Sequence, residues 1–232
     1  MSAAMVAPPV GESTMRVRTP EAGDMKPPME HTVIIFDWDD TLLSSSWLAQ
    51  NGLRLDAPVE VPPAAAEQLA TLQESVCALL RRAIEIGTVI IITNAETGWV
   101  ELSAKRFMPA VVPLLSAVRV LSARSTYEPL FACPSEWKVH AFAHELAGAC
   151  AGLHPECVRN VISFGDSVHE RHAIHKVTAG VPFTRTKSVK FVERPTIEQL
   201  KRQVDLVQSC FSDIIGHQGN LDLMLTIQLL YH

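Results

Sequence analysis

At 232 residues, with 47% apolar and 19% charged side chains, the chain is long enough for one full hydrophobic core and short for two. A formal charge of −5 excludes a general attraction to nucleic acid or an anionic membrane surface. No apolar stretch reaches the roughly 18–20 residues that cross a bilayer.

The first thirty residues repeat proline, lack apolar periodicity and mix charges, with Glu12, Glu21 and Asp24 among them. They read as a flexible tail, with no secretory apolar stretch and too many acids for a transit peptide. The five cysteines (Cys77, Cys133, Cys150, Cys157 and Cys210) show no CxxC spacing, which indicates reduced thiols in a cytoplasmic protein.

Residues 33–36 form a short apolar run, expected as a strand buried on both faces. It ends on three acids, Asp37, Asp39 and Asp40, within VIIFDWDDTLL. Acids spaced i, i+2 lie on one side of an extended chain, an arrangement that suits a cation, a phosphoryl group or both. Helical spacing of Leu69, Leu72, Val76, Leu79, Leu80 and Ala83 predicts a helix over about 64–86, with Gly87 as its stop.

A second buried strand is expected over 88–93, ending at Thr93 and Asn94, with a helix after it in GWVELSAKRF. A third strand is expected over 118–121. Ser135 is a candidate cap for a helix to about residue 146 that carries Lys138 in its first turn. VISFGD over 161–166 predicts a fourth strand ending at Asp166, and 177–183 a weaker fifth. TRTKSVK then reads as a solvated loop placing Arg185, Lys187 and Lys190 on the rim.

Thr196 and Gln199 form a capping box for a helix with Ile197, Leu200, Val204, Val207, Phe211 and Ile214 on one face. The period-two pattern of 221–229 predicts an extended segment at a sheet edge. Strands alternating with helices give an α/β fold, a doubly wound, mainly parallel, five-stranded Rossmann-like sheet with helices on both faces. One domain over 31–215 is expected, with 216–232 packing on it as an extension. In such a sheet ligands bind at the carboxyl ends of the strands, where Asp37, Asp39, Thr93, Asn94 and Asp166 all fall.

Taken together, these pieces resemble the haloacid dehalogenase-like superfamily of phosphohydrolases. FDWDDTLL matches its first motif, a DxDx(T/V) pattern after a strand; IIITN matches the second, Lys138 the third and GDSVHE the acidic fourth. The resemblance covers about residues 32–182 in the expected order. It implies Mg²⁺-dependent hydrolysis of a phosphomonoester, with Asp37 as the nucleophile that forms an aspartyl-phosphate and Asp39 as general acid and base. It further implies Mg²⁺ held by Asp37, the backbone carbonyl of Asp39 and Asp166. Thr93 and Asn94 would hold phosphoryl oxygens, and Lys138 would neutralise nucleophile and phosphoryl group together.

Glu170 stands where the family often has Asp; its reach suits a metal-bound water or the orientation of Lys138. Most small-molecule phosphatases of the family carry a cap domain. Residues 42–63 and 122–134 are too short to build one, which favours a phosphate on a large partner, such as a phosphoprotein, or a lid lent by a neighbouring subunit. The rival reading is a non-catalytic interaction protein that keeps this fold. The histidines of HERHAIH (His169, His172 and His175) lack the HExxH spacing of a zinc site and read as solvated or substrate-facing. Trp38, Trp47 and Trp99 read as packing residues, with a place in the wall of the site as the alternative for Trp38 and Trp47.

Overall fold

The computed structural model describes residues 30–56 and 59–230. The expected N-terminal tail lies outside them except for Glu30, which already belongs to the first strand. The chain opens with β1 (Glu30–Phe36), α1 (Ser45–Gln50), α2 (Pro63–Ile86) and β2 (Thr88–Thr93). Then come α3 (Trp99–Phe107), the single turn α4 (Val112–Leu115), β3 (Arg119–Ser122) and α5 (Ala123–Tyr127). They are followed by α6 (Pro134–Ala149), β4 (Val158–Gly165), α7 (Val168–Thr178) and β5 (Thr184–Lys190). Helices α8 (Ile197–Ser209) and α9 (Phe211–Gly216) precede β6 (Leu221–Met224).

All strand pairs are parallel, in the order β3-β2-β1-β4-β5-β6, so the sheet has six strands where five were expected. The chain steps outward from β1 through β2 to β3, then returns to lay β4 on the other side of β1. That reversal opens a crevice between the carboxyl ends of β1 and β4.

The strands read as unbroken apolar runs because both faces of the sheet are covered. Ile34, Phe36, Ile91, Ile162 and Phe164 point toward α2, α3, α8 and α9. Val33, Ile35, Ile90, Ile92 and Val161 point to the other layer, with α6 and α7. Phe36 and Phe164 stack across neighbouring strands with ring centroids 4.9 Å apart. The long α2 spans the first layer with its predicted stripe buried, and the predicted stripe of α8 continues into Phe211 and Ile214 of α9.

Gly87 does follow α2, but not in the left-handed conformation of a helix stop; its φ is −170°. Glycine is required there by crowding, since a Cβ would lie 2.3 Å from the carbonyl oxygen of Thr32. The helix expected from Ser135 begins at Pro134 after Cys133, and Ser135 bonds the Cys133 thiol instead of capping. Lys138 therefore lies two residues further into α6 than expected. The capping box of Thr196 and Gln199 is present as expected.

The largest correction concerns the fifth strand. Residues 177–178 finish α7 and 179–183 form the connection, with Gly180 at φ 70° and Phe183 at φ 53°. The strand is TRTKSVK itself, the segment expected as a solvated loop. Its three basic residues concealed a β-branched strand whose charges are individually matched. Arg185 pairs with Glu30 at the amino end of the sheet, and Lys190 pairs with Glu193. Lys187 is fully buried and donates to the Ile215 carbonyl at 2.6 Å. Arg185 and Lys187 are thus remote from the rim on which they were expected.

The extended C-terminal segment is present at the sheet edge as β6, paired with β5, and gives way to a short 3₁₀ turn over Ile227–Leu230. Among the described residues, α1 and part of the loop after it lie between β1 and α2, and α5 with its loop lies between β3 and α6. No helix among the described residues is long and apolar enough to cross a membrane.

Burial lowers the Lys187 ammonium to about 8 from 10.5, against the opposing pull of Glu30. Its unfolded form therefore binds more protons between those values, and folding stability should rise from about pH 8 to pH 10.5. Lys187→Met keeps the stem and leaves the Ile215 carbonyl its second donor, the Asn160 amide at 3.0 Å. The variant should be more stable than wild type at pH 7 by on the order of 1–3 kcal/mol. The advantage should vanish by about pH 10.5 in denaturant titrations across pH.

Candidate active site

The site begins where β1 ends. The Asp37 amide donates to the Phe164 carbonyl at 2.9 Å, carrying β1–β4 pairing one residue past the strand and setting Asp37 beside the turn that holds Asp166. Beyond it the chain reverses sharply. The amides of Leu42 and Leu43 converge on the Trp38 carbonyl at 2.9 and 3.0 Å, and Asp40 adopts a left-handed φ of 53°. Asp40 then accepts from the Ser46 amide at 2.9 Å, tying the turn to α1. Asp40 is thus a hydrogen-bonding acid that fastens the turn.

Lys138 reaches the crevice from α6. Its ammonium lies 2.6 Å from Asp37 Oδ1, 2.6 Å from the Ile92 carbonyl oxygen and 3.0 Å from Glu170 Oε1, and its side chain is 1% exposed. Glu170 divides its two oxygens. Oε1 meets Lys138, while Oε2 accepts from the Ser167 amide at 3.1 Å and closes the first turn of α7. The expectation that Glu170 could orient Lys138 has this contact as its geometry.

Ligand oxygens of Asp37, Asp166 and Glu170 all lie within 4.8 Å of one another. Burial first, then Glu170 and Asp40, push the Asp166 carboxyl up to about 7. Burial also raises Asp37, although Lys138 pulls the other way. Burial acts against the Lys138 charge, but Asp37 and Glu170 together hold the ammonium above its ordinary value. Glu170 stays low despite its burial, because Lys138 and Ser167 favour its charged form. Three carboxylates, two buried and that of Asp166 half-buried, face one ammonium and are short of positive charge. One protonated lysine and one divalent cation would balance all three, and an all-oxygen donor set suits a hard cation such as Mg²⁺.

The Asp39 carboxylate does not join that cluster. The Thr93 hydroxyl donates to its Oδ2 and the Trp99 indole to its Oδ1, each at 2.9 Å. Thr93 in turn accepts from the Ala95 amide at 2.9 Å, curling the loop after β2 over the strand end. Asn94 follows, with its amide nitrogen 3.4 Å from the Pro134 carbonyl oxygen and its own oxygen buried without a partner among the described residues. All seven residues singled out from the sequence, Asp37, Asp39, Thr93, Asn94, Lys138, Asp166 and Glu170, thus stand at one edge of the sheet. Asp37, Asp39, Asn94, Lys138, Asp166 and Glu170 line one cavity of about 230 Å³, and Thr93 reaches it through Asp39.

Of the tryptophans, Trp99 had to be reassigned. Trp38 is fully buried as expected of a packing residue, with its indole N–H on Ser103 of α3 at 2.9 Å, and it anchors the turn without walling the site. Trp99, expected to be packing, is the residue whose indole meets Asp39. Its position just after Gly98 (φ 89°), which opens α3, was the available signal. His169 lines the site cavity, while His172 and His175 face a separate depression beside Arg171.

Compared with protein-family models, curated proteins and solved structures, the chain matches none.

Gly165, the last residue of β4, gives Glu170 its place. A Cβ on Gly165 would sit 2.5 Å from Glu170 Cγ and 2.8 Å from its Cβ. Gly165→Ala should displace Glu170 from Lys138 and cost about 1–3 kcal/mol in chemical denaturation. Unchanged stability would mean that α7 yields freely.

Proposed function

We propose that the protein hydrolyses phosphomonoesters through an aspartyl-phosphate on Asp37, with Mg²⁺ as its cation. The observation that carries this reading is the buried contact of Lys138 with Asp37 inside a three-carboxylate cluster at the β1–β4 crevice. Asp37 Oδ1 is engaged by Lys138, and Oδ2 makes no hydrogen bond within the described residues, which leaves it as the attacking oxygen. Lys138 stays charged and offsets the negative charge that would otherwise keep carboxylate and phosphoryl group apart. Asp37, Asp166 and the backbone of Asp39 would hold the cation, with Glu170 close enough to join them. When bound it neutralises phosphoryl charge and fixes the phosphate for in-line attack.

In the first step the Asp37 Oδ2–P bond forms and the bond from phosphorus to the ester oxygen breaks. The electron pair of that bond leaves on the ester oxygen, which takes the Asp39 proton and departs as an alcohol. In the second step a water oxygen bonds to phosphorus as the Asp37 Oδ2–P bond breaks, its electron pair returning to the Asp37 carboxylate, while Asp39 takes the water proton and inorganic phosphate leaves. Trp99 Nε1 is a donor only, so Oδ1 of Asp39 remains an acceptor in both protonation states. The exchanging proton belongs to Oδ2, whose partner Thr93 can donate or accept as needed.

Phosphate release from an aryl phosphate should require Mg²⁺ and stop when the metal is chelated. Asp37→Asn should abolish it, and Asp39→Asn should slow it about 10²–10⁴-fold while sparing Mg²⁺ affinity. A wild-type protein that releases no phosphate from any aryl or alkyl ester with Mg²⁺ would instead favour the non-catalytic interaction protein.

Trp99→Phe keeps a ring in place and removes the donor to Asp39 Oδ1. Turnover of glycerol 2-phosphate should fall about 10–100-fold, as for loss of a hydrogen bond to a charged group, with KM little changed. A loss confined to KM would assign Trp99 to substrate contact alone.

A further inference from the structure

The phosphoryl cavity is not closed on all sides. It opens into a larger cleft of about 860 Å³, and the two share Asp39, Ser45, Ser46 and Asn94. If Asp39 protonates the ester oxygen, the phosphoryl group fills the small cavity and the rest of the substrate must extend past Asp39 into the cleft. Its volume lies within the range of small-molecule sites.

The walls state what would fit. Trp99 is fixed by its bond to Asp39 and lines the cleft next to the ester oxygen. Leu102, one of the exposed large apolar side chains at 58%, continues that wall from α3, and Leu55 faces in from the segment after α1. Past Leu55 the cleft adjoins an apolar recess of about 440 Å³ formed by Leu48, Leu53 and Phe107.

Arg54 and Arg124 enter the same cleft from different elements. Each is exposed and paired with a neighbour, Arg54 with Asp56 and Arg124 with Glu128. Such exposed pairs add little to stability, so either guanidinium can exchange its partner for a substrate anion at small cost.

From this continuity we infer that the cleft is the leaving-group subsite and that it selects small phosphomonoesters of a specific kind. The alcohol or phenol carries an apolar, ring-sized body against Trp99, Leu102 and Leu55, and a carboxylate at its far end for Arg54 or Arg124. This rests on the phosphomonoesterase reading above and adds the substrate class to it. It also replaces the expectation of a large partner with a small ligand, because α1 and its following loop supply a wall that a bare rim lacks.

The test compares 4-carboxyphenyl phosphate, phenyl phosphate and glycerol 2-phosphate on wild type, Leu102→Asn and an Arg54→Ala/Arg124→Ala double variant. Each ratio of kcat/KM is compared between proteins, so intrinsic ester reactivity cancels. The double variant should lower the carboxyphenyl-to-phenyl ratio at least about tenfold, the worth of one charged contact. Leu102→Asn should lower the phenyl-to-glycerol ratio about fivefold or more, as for lost apolar contact in a pocket. Ratios unchanged in both variants would overturn the proposal. So would a phosphopeptide turned over better than all three esters, which would assign the cleft to polypeptide.

Calorimetry of 4-carboxyphenyl and phenyl phosphate with Mg²⁺, on Asp37→Asn with and without the arginine substitutions, separates the two levels of inference. If wild type hydrolyses nothing, the hydrolase reading fails. An arginine-dependent preference for the carboxylated ester in that binding would still uphold the subsite, and its absence would overturn it.

Discussion

Everything at the carboxyl edge of the sheet depends on one buried ammonium. Lys138 is almost fully desolvated, a cost of several kcal/mol for an isolated ion, and it is offset by contacts with Asp37, Glu170 and the Ile92 carbonyl. The dependence is mutual. Without the lysine, the buried carboxylates would have no counter-charge among the groups that touch them here, and they would protonate or move apart. Each partner comes from a different element: Asp37 from the end of β1, Ile92 from β2, Glu170 from α7 and Lys138 from α6. One side chain thereby locks two strand ends and two helices in register. The lock remains short of positive charge, which is why a divalent cation belongs to the reading of the site.

The sequence made the site more legible than the fold around it, for a physical reason. Asp37, Asp39, Thr93 and Asp166 each close an apolar run, and in a parallel sheet that position alone brings them to one edge. The same logic failed at β5. There Arg185, Lys187 and Lys190 broke the apolar pattern, because each charge is matched by a residue distant in sequence, Glu30 or the Ile215 carbonyl, or by a neighbour beyond the strand, Glu193. Long-range pairing such as that of Arg185 and Lys187 leaves no local trace. Gly87 was recognised for its place and misread for its reason, since the crowding comes from Thr32 on another element. The role of Trp99 was hidden likewise, because an indole at the head of a helix looks the same whether its N–H meets water or Asp39.

Asp37 and Asp39 are governed from opposite layers of the molecule. Asp37 answers to α6, whose Trp137, Val139 and Phe142 belong to the core on one face of the sheet. Asp39 answers to α3, whose Val100, Ala104 and Phe107 belong to the core on the other. Helix α3 holds the motif twice, at positions one turn apart. Ser103 takes the Trp38 indole, while Trp99 gives its own indole to Asp39. Ser103 also donates to the Trp99 carbonyl at 2.6 Å, so the two anchors are joined to each other.

Adjacent residues of one turn are therefore fixed to one helix by a buried bond and a half-buried bond. A slide of α3 along the sheet would carry Trp38 and Asp39 together, while Asp37 stayed with Lys138. The separation between the proposed nucleophile and the proposed acid is thus set by how the two helical layers sit across the sheet, and not by the turn that joins the two acids alone. Packing that rigid is expected where two reacting groups must hold a phosphoryl group between them within a few tenths of an ångström. It also explains why so short a motif needs a fully buried tryptophan at its centre. Trp38 is the wedge that transmits the position of α3 into the turn, and the left-handed Asp40 and the bond to Ser46 carry that position onward to α1 and the wall of the cleft.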